Sequence, residues 1–125
     1  MRGSSYSYGA RLFRSLAHPG RLQILDELRR AEACVCHLQT VLRRPQAYVS
    51  QQLRVLREAG TVTDDKDGLN VYYHLSNPQV RRLVEEVLGP ADGPTRLPSC
   101  PCPHCQEACR TKETAELVEA EAKAV

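Results

Sequence analysis

The sequence predicts a mainly α-helical domain that carries one small β-hairpin. Apolar residues recur at helical spacing through the first 59 residues and again after residue 78, whereas only the stretch from 61 to 75 favours strand. Aromatic residues are few, with no Trp, five Tyr and the single Phe13, so the core must be built from Leu, Val, Ile and Ala. Such a core suits stacked helices better than packed sheets. A chain of 125 residues is enough for one ordinary domain.

Leu12, Phe13 and Leu16 give a first helical stripe between Tyr6 and Ala17. His18-Pro19-Gly20 interrupts it, because proline disfavours helix in the residue before it and suits a first turn after it. Leu22, Ile24, Leu25 and Leu28 mark a second helix from Arg21 to about Arg30. A third, short helix should begin near Cys36, bury Leu38, Val41 and Leu42, and end at Arg43-Arg44-Pro45. The fourth runs from about Gln46 to Ala59 on Val49, Leu53 and Leu56, with Gly60 as its stop. Thr61-Val62-Thr63 and Val71 to Leu75 then read as strands around Asp64–Gly68, where Asp-Gly signals a hairpin turn. Ser76 or Asn77 caps a last core helix that opens with Pro78 and carries Val80, Leu83, Val84, Val87 and Leu88.

The chain changes character after that helix. Gly89 to Pro98 holds three Pro and two Gly and reads as a linker, followed by a cysteine-rich stretch and a polar Ala/Glu helix. The expected division is therefore 1–89 for the DNA-binding and dimerisation domain and 90–125 for linker, metal-binding tail and C-terminal helix. A short helix joined by a tight turn to a second helix, with a hairpin directly after, is the order of a winged helix-turn-helix.

Net charge is only +2, but residues 1–59 carry ten Arg against four acids. Such asymmetry suits a face directed at a polyanion such as duplex DNA. No run approaches the roughly 20 apolar residues of a membrane span, and no signal segment opens the chain, so a cytoplasmic protein is expected. In that reducing compartment six Cys suit metal binding or redox sensing better than disulfides.

Four stretches carry a family resemblance. Leu16-Ala17-His18-Pro19-Gly20-Arg21-Leu22-Gln23-Ile24-Leu25 resembles the opening motif of the ArsR/SmtB repressors, and Cys34-Val35-Cys36-His37-Leu38 their metal box. Tyr48 to Gly60 is similar to their recognition helix, and Gly68 to Leu75 to their second wing strand. The match spans about residues 10–88. It implies a homodimer that represses a detoxification or efflux operon and leaves double-stranded operator DNA when an inducer binds. It also implies a dimer interface from the first and last core helices. The residues agree, since Leu12, Phe13, Leu16, Val80, Leu83, Val84 and Val87 offer more apolar surface than so small a core needs. The sequence departs from the family by carrying His37 where Asp is common and Gln52 where His is common. The last core helix has Glu85 and Glu86 but no His, which argues against the zinc site some relatives place there.

For DNA, the exposed residues of the recognition helix are expected to be Gln46, Tyr48, Ser50, Gln51, Gln52 and Arg54. Gln and Arg can read base edges, and Ser and Tyr reach bases or phosphates. Arg43, Arg44, Arg57 and Lys66 at the wing tip suit phosphate contacts. His18 and His74 read as structural.

For metal, side chains two residues apart on a helix point about 200° away from one another, whereas in extended chain they share a side. Cys34 is therefore expected just before the third helix and Cys36 in its first turn, where the helix dipole favours thiolate. The second cluster is Cys100, Cys102, Cys105 and Cys109, with His104 inside it. Relatives complete the CVC site with other cysteines, so Cys34 and Cys36 are expected to share an inducer with tail thiols, foremost Cys102 and Cys105. The linker of about 11 residues reaches up to ~35 Å. Thiolates select soft or borderline ions, which leaves As(III), Sb(III), Cd(II), Pb(II) and Zn(II) open. The alternative is a thiol-redox, persulfide or iron–sulfur sensor on the same fold. An enzyme is not expected: no thioredoxin-like pattern surrounds Cys102-x2-Cys105, and no Ser-His-Asp or paired-carboxylate arrangement is visible.

Overall fold

The computed structural model describes residues 2–68 and 70–93. Five helices and a three-stranded sheet follow in the order α1 (Arg2–Leu16), α2 (Pro19–Leu28), β1 (Ala33–Cys34), α3 (Val35–Leu42), α4 (Gln46–Glu58), β2 (Val62–Asp67), β3 (Asn70–Leu75) and α5 (Pro78–Leu88). The four tail cysteines, and most of the 90–125 segment, lie outside the described residues.

The ends of the helices follow from local chemistry. His18 caps α2 through Nδ1, which accepts the Gly20 and Arg21 amides at 3.0 and 3.4 Å, with Pro19 in the first turn. Asn77 caps α5 in the same way, taking the Gln79 and Val80 amides ahead of Pro78. At the end of α4, Gly60 adopts φ 75°, its amide donates to the Arg57 carbonyl, and the Thr61 amide donates to Leu56. This doubly bonded turn satisfies carbonyls the helix would leave open and needs the left-handed residue that glycine supplies. The turn between α3 and α4 is closed differently, by Arg43 itself at φ 55°.

Ile24, Leu25, Leu38, Val49, Leu53 and Leu56 are fully buried where α2, α3 and α4 meet, and Val80 and Val84 of α5 close the core. Burying each such side chain contributes about 1.5–3 kcal/mol. The apolar surface of α1 and α5 divides in two. Leu12, Leu16, Val80 and Val84 serve this core, whereas Phe13 and Val87 remain 62% and 71% exposed. With Leu22 and Leu83 they line an apolar groove along α1, α2 and α5. The surplus expected from the sequence is thus smaller than the full set.

The sheet has the order β1-β3-β2, antiparallel throughout. Val62 pairs with Leu75 and Asp67 with Asn70, so β2 is longer than the sequence suggested and the ladder runs up to Asp67, with Gly68 directly after it. Lys66 pairs with Val71, close to that tip and exposed. The short strand β1 was not foreseen; Ala33 pairs with Tyr73 and Cys34 with Tyr72. His74 of β3 reaches to both sides, with Nδ1 3.4 Å from Glu32, just before β1, and Nε2 3.2 Å from Asp65 of β2.

Candidate nucleic-acid interface and thiol pair

Helix α4 buries Val49, Leu53 and Leu56 and turns the opposite face outward. Gln46, Ser50, Gln51 and Arg54 are exposed and fall on that outer face. Arg54 Nε bonds Glu58 Oε1 at 3.1 Å in a solvent-exposed pair, which adds little stability and leaves the guanidinium available. Arg57 reaches Asp64 of β2 at 3.4 Å, tying the helix to the wing.

Two residues of the expected reading face behave otherwise. Gln52 is 8% exposed, and its Oε1 accepts a hydrogen bond from Arg21 Nη1 at 2.9 Å. It packs between α4 and α2 and is removed from the exposed set, because three residues after Val49 the helix faces inward. Tyr48 is half-buried over the start of α2: its ring stands 6.4 Å from that of His18, and the Arg44 guanidinium lies 5.1 Å above it. A Cβ at Gly20 would overlap Tyr48 Oη, so the tyrosine can hold this orientation only while position 20 carries no side chain.

The thiols of Cys34 and Cys36 converge, their Sγ atoms 2.7 Å apart. Cys34 is extended and caps α3, its Sγ accepting the His37 amide at 3.4 Å, and Cys36 follows in the first helical turn. This is the arrangement expected from the spacing. Cys34 is buried and Cys36 half-buried. His37 turns inward instead, with Nε2 3.2 Å from Glu27 Oε2, both side chains nearly buried. That pairing gives the imidazole a partner in α2 and was not apparent from the sequence. Two sulfurs on one side of the chain suit a thiophilic ion and suit hard cations poorly, and binding one would part them from 2.7 Å to the ~3.7 Å that two tetrahedral bonds of ~2.3 Å span. Among the described residues no group of three or more His, Cys, Asp or Glu is placed to hold a metal. The chain leaving α5 is held against the end of α2, where Arg29 Nη1 donates to the Gly89 carbonyl at 2.5 Å and Arg30 Nη1 to that of Gly93 at 3.2 Å.

A helix-turn-helix with an outward polar face on its second helix, followed directly by a hairpin, defines the winged helix-turn-helix class of regulators. The chain belongs to the ArsR family, the SmtB-type repressors included: the model for bacterial regulatory proteins of the arsR family matches residues 18–64. The SmtB homolog of Synechocystis, a transcriptional repressor, is 41% identical over 78 residues, covering 62% of this chain and 59% of that protein. The chain thus spans about three fifths of that relative's length. The arsenical resistance operon repressor of Bacillus subtilis is 35% identical over 77 residues, covering 61% of this chain and 73% of that one. The solution structure of a homodimeric winged helix-turn-helix domain from Mycobacterium bovis superposes with a TM-score of 0.66 at 30% identity, covering 70% of this chain and 81% of that domain. These relatives are transcription regulators and not enzymes. Among the described residues no helix is long and apolar enough to cross a membrane.

Proposed function

We propose that the protein is a cytoplasmic, homodimeric transcriptional repressor that binds a palindromic operator and releases it when a thiophilic ion is taken up by Cys34 and Cys36. Gln46, Ser50, Gln51 and Arg54 read or approach bases, Tyr48 contributes its exposed edge, and Arg43, Arg44 and Lys66 meet phosphates. The exposed Phe13 and Val87 on α1 and α5 supply the apolar face of the dimer, and the homodimeric Mycobacterium domain supports that reading.

The observation that carries the proposal is the convergence of two thiols on a segment laddered to the wing. An ion held there favours whichever wing and α3 arrangement suits its coordination, and shifts the population by its differential affinity. Cys102 and Cys105, with Cys100 and Cys109, complete the donor set. The bonds from Arg29 and Arg30, which bring the start of the tail against the segment leading to Cys34, support this role. The division into 1–89 and 90–125 follows from the same reading. The As(III), Sb(III), Cd(II), Pb(II) and Zn(II) ions remain the inducer candidates, and the arsenical repressor among the relatives supports keeping the metalloids.

The test is release of labelled operator by each ion in turn. At least one is expected to dissociate the complex at a near-stoichiometric level; no release by any of them overturns the reading. The half-exposed Cys36 beside Cys34 also suits a thiol-redox, persulfide or iron–sulfur sensor. Metal and sulfide analysis of anaerobically purified protein separates that second reading from the first.

A further inference from the structure

Arg21 joins three helices through one guanidinium. A helix leaves its last four carbonyls without helical partners, and at the end of α1 all four are accounted for. Phe13 accepts from the Ala17 amide at 3.0 Å and Leu16 from the His18 amide at 2.8 Å. The other two are taken by Arg21, whose Nε donates to Ser15 at 2.6 Å and whose Nη2 donates to Arg14 at 3.2 Å. Its positive charge sits where the helix dipole favours a cation. The remaining arm, Nη1, donates to the buried Oε1 of Gln52 in the middle of α4. The planar fork holds these partners in one fixed geometry, which a lysine cannot reproduce.

We infer that the Arg21–Gln52 link sets the operator half-site spacing. The inference rests on the reading of the protein as a dimeric operator binder. α1 carries Phe13 toward the second copy, and α4 carries Ser50 and Gln51 toward DNA. The angle between these helices fixes how far apart two symmetry-related reading faces lie. In a two-fold dimer that separation must match half-sites about one helical turn apart. Arg21 and Gln52 are positioning residues, acting through the orientation of α4 and touching no base.

The experiment selects operators from random duplex DNA with the full-length protein and then inserts or deletes one base pair between the half-sites. The wild type should prefer its selected spacing by about tenfold, the scale of a single unfavourable step in such a site. Gln52→Leu keeps the volume and the α1 cap but removes the acceptor. It should reduce the spacing preference to about threefold or less while leaving affinity for non-specific duplex unchanged. Gln52→Glu retains an acceptor and should retain the preference. Arg21→Lys, which cannot make three bonds at once, should behave as Gln52→Leu does and provides the second test should that variant fail to fold. A spacing preference kept by the folded Gln52→Leu or Arg21→Lys protein overturns the inference. So does a loss confined to one base identity, since Gln52 would then be reading a base. Failure of the wild type to select any sequence sinks the operator reading itself, and is distinguishable because no variant is needed to see it.

Discussion

Cys34 and Tyr72 face each other across the antiparallel ladder between β1 and β3, so the first thiol of the pair belongs to the same sheet as the wing. Cys34 is also the cap of α3, the helix that leads into the turn before α4. One residue therefore touches both elements that flank the reading helix. An ion that repositions its sulfur has two short routes to the DNA-facing surface.

Replacing either thiol should separate sensing from binding. Cys34→Ser and Cys36→Ser are expected to keep operator affinity within about threefold, since neither side chain lies on the outer face of α4, and to lose release by the inducing ion. Fluorescence anisotropy of labelled operator with and without the ion reads both. Equal release in wild type and both variants would place the inducer elsewhere.

The polar face of α4 and the wing should differ in kind. Gln51→Ala is expected to cost roughly 1–3 kcal/mol of discrimination between operator and random duplex, the range for a good base contact. Lys66→Ala should weaken both about equally and lower the slope of log affinity against log salt by about one. Uniform loss on both duplexes for Gln51→Ala would mean that the base-reading face has been misplaced.

Phe13 and Val87 bury little of themselves in the chain's own core. Phe13→Asp and Val87→Asp should leave helical content intact and convert the dimer to monomer in sedimentation experiments, with a large fall in operator affinity. Variants that stay dimeric would move the interface away from α1 and α5.

Arg43 holds a left-handed conformation that costs a non-glycine residue about 1–2 kcal/mol. Arg43→Gly removes that cost but loosens the unfolded chain by about 0.5–1 kcal/mol. The variant should be more stable in urea by up to about 1.5 kcal/mol while binding DNA less tightly at low salt. Lower stability would show that the αL geometry carries little strain here.

Periodicity exposed the five helices because each buries a stripe of Leu, Ile or Val at helical spacing. It also placed Cys34 before α3 and Cys36 in its first turn, since two cysteines both inside a helix would point apart. What it missed was polar residues on inward faces. Gln52 and Glu27 sit three residues after Val49 and Ile24, where the helix points inward, yet their polarity suggested solvent. Their partners, Arg21 and His37, lie in other helices, so nothing local announced the pairing. Strand β1 escaped notice for a related reason. Two residues carry no alternation, and their partners Tyr72 and Tyr73 are far along the chain. The hairpin was legible as a hairpin, but Asp64 to Asp67 stay in the ladder, where Asp67 pairs with Asn70, so the strand runs further than the Asp-Gly signal implied.

The contact of Tyr48 with Gly20 has a consequence for descent. Because the phenol occupies the space a methyl group at position 20 would need, a lineage acquiring a side chain there must first shorten or reorient residue 48. The order is asymmetric: position 48 can shrink while glycine persists, leaving only a gap, but position 20 cannot grow while the tyrosine keeps this orientation. Homologues should therefore show glycine with several residue types at position 48, and a side chain at position 20 only beside a shorter residue at 48 or a tyrosine turned away from it.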